Sequence, residues 1–289
     1  MHNVFRDVSI NIDKEESKNT QHKALREDLE TQKTPKDDES IKSTIKKYFN
    51  LVFPNFKLIS ITTGLVLLCV LVYLIEWAFY VRYTWPCTLY KLGGNYLPVI
   101  QRHQHFQRLL NPILLHTNLI HLVLNMMILL ILGNSTEEFF GRINYIVLIL
   151  FSGFGGNLVS AALSAKCGIT VGSSTVVMGI LAFQLIWLMA SWHKFGKHRI
   201  FYAVYLGVMF FFILLAGFFS SENAIDIWGH LGGFLTGFCI TLILYREVRE
   251  HQRLKRFRIP GFFGILIILG AAVALAIMRR THFCVTKIC

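Results

Sequence analysis

"ITVGSSTVVMGIL", residues 169–181, opens an apolar run long enough to cross a bilayer, yet it begins with Gly172, Ser173, Ser174 and Thr175. A polar group in hydrocarbon is costly, so hydroxyls at the start of a membrane helix ask for a chemical reason.

Composition sets the surroundings of that stretch. Of 289 residues, 54% are hydrophobic and 16% charged, and the apolar residues cluster in runs. A hydrocarbon core of about 30 Å needs roughly 20 apolar residues per helix. Runs of that size fall at 58–80, 114–133, 143–164, 172–192, 199–219, 225–245 and 262–278. The expected fold class is all-α, a polytopic membrane helical bundle with seven spans. Residues 1–57 are polar, mixed in charge and poor in aromatics, a composition that cannot offset its ordering entropy. They are expected to form a disordered cytoplasmic tail. Residues 58–245 then form the membrane core, 246–261 a basic loop, and 262–289 a seventh helix with a short outer tail.

The formal net charge of +12 lies almost wholly outside the tail, where 11 Lys/Arg face 10 Asp/Glu. It therefore reads as membrane topology and not as a nucleic-acid surface, and no nucleic-acid partner is expected. With the N-terminus cytoplasmic, the inner side carries fourteen Lys/Arg, including Arg246, Arg249, Arg253, Lys255, Arg256 and Arg258, against eight outside. The positive-inside rule favours that orientation, and seven spans put the C-terminus outside. Of the cysteines, Cys69 and Cys239 fall within apolar spans. Cys87, Cys167, Cys284 and Cys289 fall on the outer side, where a disulfide is chemically allowed but spacing assigns no pairing.

Three polar constellations interrupt the spans. The second contains "HTNLIHLVLNMM", with His116, His121 and Asn125; the fourth opens with Ser173, Ser174 and Thr175; the sixth contains "DIWGHLGGFLTG", with His230. In the expected topology these three helices all run inward from the outer face, so their first turns share a depth. His121 and Asn125, four apart, share a helix face. Gly229, Gly233 and Gly237 repeat at the interval that lets helix backbones approach closely. A serine hydroxyl becomes a nucleophile when a neutral imidazole accepts its proton. Ser174 is thus the candidate nucleophile and His230 its base, with Asn125, His121 and unpaired N–H groups of the first turn as oxyanion donors. No carboxylate is expected to orient His230, so the pair reads as a dyad. His116 and His121, five apart, point to different helix faces; His116 reads as a structural hydrogen-bonding residue, and no metal site is expected. Glu76, near the outer end of the first span, is expected to reach the interface with Tyr80 and Arg82.

Together these motifs resemble the rhomboid family of intramembrane serine proteases across roughly residues 80–245. "QRLLNP", with Arg108 and Pro112, is similar to the family's outer-loop Arg and Pro. His121 and Asn125 match its HxxxN, with His116 five residues upstream. "LGNSTEEFFG" is similar to LGxxxExxxG, with Glu137 and Gly141, and "SGFGGNLVSA" to the third helix. The GxSG motif falls on Gly172, Ser173, Ser174 and Thr175, and "GHLGGFLTG" matches the sixth-helix pattern with Gly233 and Gly237. Two positions depart from the family: Thr175 stands in place of a glycine, adding a branched side chain between closely packed helices, and Gln107 in place of an aromatic.

The resemblance implies a six-helix core plus a seventh helix, and a multi-pass integral membrane protein that cleaves the transmembrane segments of other membrane proteins. It implies Ser174 and His230 as the catalytic pair. Gly172, His116, Arg108, Glu137, Gly233 and Gly237 are then structural residues near the site. No cofactor is implied, the partners are transmembrane substrates and the lipid bilayer, and the oligomeric state stays open. The alternative is a relative that grips membrane clients without cutting them.

Overall fold

Seven long helices form where the seven apolar runs lie, joined by loops that carry shorter helices. The structure, a computed structural model, describes residues 42–44, 46, 56–164, 168–218, 226–245, 252–279 and 289, with backbone alone at 216–218 and 252–254. The chain divides into two compact units, Met1–Val52 and Phe53–Cys289. In the first, the described residues are helical; most of the expected tail lies outside the described residues, as do residues 246–251 of the expected basic loop, Cys167 and Cys284.

The second unit runs α1 (Ile61–Tyr80), α2 (Trp85–Leu92), α3 (Leu97–His103), α4 (Leu119–Phe140), α5 (Arg142–Leu163), α6 (Ser174–Ala190), α7 (Arg199–Phe218), α8 (Ile227–Leu244) and α9 (Arg258–Met278). No strand occurs among the described residues, apart from one antiparallel bridge between Asn95 and Thr170. Among the described residues, six helices are long and apolar enough to cross a membrane. The run at 172–192 gives only the 17-residue α6, about 25 Å at 1.5 Å per residue. An all-α polytopic bundle is therefore the fold.

The bundle has an inner and an outer set of helices. Within α4 and α5 some 61% and 67% of the spanning window is buried, against 28%, 17% and 22% for α1, α7 and α9. The outer set turns Leu67, Leu71, Trp77, Phe201, Phe211 and Ile267 outward, as a surface bathed in lipid requires. At the centre α8 packs against α5, α6 and α9. Small residues set that spacing: a Cβ added at Gly233 would come within 2.3 Å of the Thr175 carbonyl oxygen, and one at Gly237 within 2.4 Å of Gly179 Cα. Close backbone approach of this kind replaces the hydrophobic drive that lipid removes.

Buried polar groups fasten the elements together. Glu137 accepts hydrogen bonds from Ile61 N at 3.1 Å and Thr62 N at 3.0 Å. It puts an acceptor on the exposed N–H groups that begin α1, where a carboxylate also complements the helix dipole. Gln184, the one polar residue in the inner half of α6, donates to Thr136 Oγ1 and accepts from Tyr202 Oη at 2.7 Å. It thereby links α4, α6 and α7. In the loop between α1 and α4, Arg108 donates to the carbonyls of Gly94 and Tyr90, each at 2.8 Å, and lies over the Tyr90 ring. Arg279 donates to the Ala162 carbonyl at the end of α5, Gln101 donates to the Arg279 carbonyl, and Cys87 pairs with Cys289.

Candidate functional site

α6 begins at Ser174 because Gly172 and Ser173 turn the chain into it. Gly172 sits at φ +131°, a conformation that side-chain-bearing residues rarely adopt, and its N–H donates to the Pro112 carbonyl at 2.8 Å. A Cβ there would stand 2.9 Å from His121 Cε1 and 3.0 Å from Nε2. The glycine therefore lets the backbone pass beneath the His121 ring.

Ser173 occupies the N-cap position, yet its side chain caps no N–H of α6. Its hydroxyl instead faces His116 Nε2 at 3.4 Å. The plain alternative for this serine, a helix cap, is thus not what it does. The first-turn N–H groups of α6 are left without a side-chain acceptor.

Ser174 is the first residue of α6 and His230 the fourth of α8. Ser174 Oγ lies 2.9 Å from His230 Nε2, with both residues buried. For Nε2 to accept the serine proton, Nδ1 must carry the ring hydrogen; Nδ1 is buried without a hydrogen-bond partner among the described residues. A carboxylate does lie one turn earlier. Asp226 caps α8, its Oδ1 accepting from Gly229 N and Ser164 Oγ, each at 3.0 Å, and its Oδ2 from Ser160 Oγ at 2.6 Å. Its oxygens are engaged there and make no hydrogen bond to the His230 ring.

His121 and, one turn further on, Asn125 stand on α4, with His121 beside Gly172. His121 Nδ1 pairs with Thr117 Oγ1 at 3.0 Å, leaving Nε2 on the Gly172 side. Asn125 directs one N–H to the His121 carbonyl at 2.9 Å, and its Oδ1 is buried without a partner among the described residues. An amide with an unsatisfied oxygen and a second N–H to spare is held by the fold and still able to bind. His116 rests between the Leu114 carbonyl and Ser173, its ring edge-on to His121. Outside the spanning helices, burial holds its imidazole well below the ordinary histidine range, with His121 adding to the effect.

Thr175 has room because α5 provides it. A Cβ at Gly156 would fall 2.7 Å from Thr175 Cβ, so the missing side chain on α5 leaves space for the one present on α6. Gly233 lies one turn from His230 and receives the Thr175 backbone. Arg108 shapes the outer loop through two backbone carbonyls.

Two expectations need correction. Glu137 is not near the site: it lies sixteen residues beyond His121 on α4, about 24 Å along the axis, where it caps α1. Glu76 does not reach the interface; it is fully buried and accepts the His116 backbone N–H at 3.1 Å. Sequence reasoning also passed over the support shell. Thr170 Oγ1, 2.9 Å from Ser160 Oγ, also receives the Asn95 amide at 3.1 Å, and Asn157 donates to the Leu109 carbonyl. The one available signal was Asp226 four residues before His230, the position of a helix cap.

The fold and these groups define a polytopic helical membrane protein that buries a hydrogen-bonded serine and histidine near one end of its bundle. A model of the rhomboid domain matches residues 103–247. Rhomboid-like protease 1 of Toxoplasma gondii is 28% identical over 249 residues, covering 82% of each chain. RHOMBOID-like protein 2 of Arabidopsis thaliana is 34% identical over 208 residues, 67% of this chain and 64% of its own. RHOMBOID-like protein 6, mitochondrial, of the same plant is 34% identical over 178 residues, 61% of this chain and 55% of its own. The chain belongs to the rhomboid family.

Proposed function

We propose that this chain is an intramembrane serine endopeptidase working through a Ser174–His230 dyad. The observation that carries the reading is the 2.9 Å approach of Ser174 Oγ to His230 Nε2 between helices 56 residues apart in sequence.

In the proposed reaction Ser174 Oγ bonds to the scissile carbonyl carbon as its proton passes to His230 Nε2. The carbonyl oxygen becomes an oxyanion, met by the second Asn125 N–H, by His121 Nε2 in its protonated tautomer, and by backbone N–H groups opening α6. The amide C–N bond then breaks, His230 returns the proton to the leaving nitrogen, and an acyl-enzyme remains. Water adds to that ester with His230 again as base, releasing the new carboxyl end and restoring Ser174. The chemistry needs only these side chains and water.

The substrates are transmembrane segments of other membrane proteins, unwound near the cut, since helical hydrogen bonds shield the carbonyl. The N-terminus is cytoplasmic and the C-terminus extracytoplasmic, so the site lies toward the outer face. The test uses the full chain in detergent with a single-span model substrate. Wild type cleaves it and Ser174→Ala does not, a loss of about 10⁴-fold or more. Equal cleavage by both removes the nucleophile assignment, and no cleavage by either across several substrates favours a client-binding relative.

A further inference from the structure

At the end of the bundle opposite Ser174, the 17-residue α6 stops at Ala190, and the 21-residue α9 begins at Arg258. A cavity of about 810 Å³ lies between the last turns of α6, the C-terminal part of α8 and the start of α9. That volume falls within the range of roughly 300–1,000 Å³ typical of small-molecule sites.

Its lining has two kinds of chemistry. Ile186 is buried and Phe238 partly buried, whereas Trp192, His193 and Arg256 are exposed. The Arg199 guanidinium lies 5.1 Å over the Trp192 ring, and that of Arg256 lies 4.8 Å over Phe257. Two permanent cations are thus held on the aromatic rings of Trp192 and Phe257, both in the lining, and no carboxylate is among the described residues that line the cavity. Arginine favours phosphate because its fork of donors matches phosphate oxygens, and tryptophan favours the headgroup level of a bilayer.

We propose that this cavity binds an anionic phospholipid, with acyl chain against Ile186 and Phe238 and the phosphate between Arg256 and Arg199. The proposal rests on the N-inside topology, which puts the cavity in the leaflet that holds most anionic lipid. It does not depend on the Ser174–His230 chemistry. A lipid seated here ties α9 to the core.

Native mass spectrometry of the full chain in neutral detergent, with equimolar dioleoylphosphatidylglycerol and dioleoylphosphatidylcholine, reads the preference directly. Wild type retains the anionic lipid roughly thirtyfold over the zwitterionic one, a size that follows from about 1 kcal/mol for each of the two cations near a headgroup. The double variant Arg199→Gln with Arg256→Gln retains the two lipids about equally, whereas Arg256→Lys keeps most of the preference. Equal retention by wild type, or an undiminished preference in the double variant, overturns the proposal. Displacement by inorganic phosphate at millimolar level does so too, since it marks a soluble-anion site.

Discussion

Ser174 and His230 meet because each sits in the first turn of its helix, and what holds the second of those turns in place is Asp226. Its carboxylate caps α8 and takes hydroxyl hydrogen bonds from Ser160 and Ser164 of α5. That negative charge stands one turn from the imidazole that becomes cationic in the proposed attack. Asp226→Asn keeps most of the side-chain volume and removes the charge. An electrostatic contribution of about 1–2 kcal/mol to the barrier corresponds to a fall in kcat of roughly tenfold, with KM little changed because Asp226 is not placed to touch substrate. Steady-state kinetics on the model substrate check this; an unaltered kcat, or a loss confined to KM, removes the electrostatic role. The Ser174–His230 contact was legible because both residues announce themselves as polar groups in apolar spans. The bonds that anchor Asp226 were not, since its partners belong to a helix more than sixty residues away. Glu76 was misread for the same reason: nothing local to α1 reveals that the N–H of His116, forty residues on, reaches it.

At the scale of elements, apolar runs located the helices and polar bonding set their ends. The run at 114–133 becomes α4 at Leu119–Phe140. It starts later because Asn118 caps it by accepting from His121 N at 2.8 Å. It runs on through Asn134, Ser135 and Thr136 because these find partners inside the bundle, as when Thr136 Oγ1 meets Gln184. Hydropathy reads the cost of a polar residue and not its satisfaction, so helix ends were the least legible feature. The glycine repeat in α8 was legible, and its consequence is sharp. A Cβ at Gly233 meets the Thr175 backbone, which cannot rotate away as a side chain would. Gly233→Ala is expected to force α8 from α6, costing about 1–3 kcal/mol, and to lower cleavage by about 10²-fold, as a displacement near 1 Å between reacting groups does. Gly64→Ala on α1, with nothing within 4 Å of the added carbon, is the control. Thermal melting in detergent and the cleavage assay together decide, and normal activity in Gly233→Ala shows that the helix contact has slack.

For the molecule as a whole, the seventh helix poses the question of what keeps it on a core whose site it does not enter. α9 buries little of itself, so its packing face is narrow. The far end compensates: Arg279 donates to α5, Gln101 bonds back to Arg279, and Cys87 of α2 joins Cys289. The pairing could not be read from the sequence, where four cysteines fell on the same side and spacing did not distinguish them. A protease site introduced between Tyr245 and Gln252 tests the tether. After cutting, a denaturing gel without reductant is expected to show one band of full mass, because the bond still joins the fragment that bears α9 to the core. With reductant, or in Cys87→Ser, two bands appear. Two bands without reductant would show that Cys87 and Cys289 are not joined, and α9 would then be held by helix packing and the Arg279 and Gln101 bonds alone.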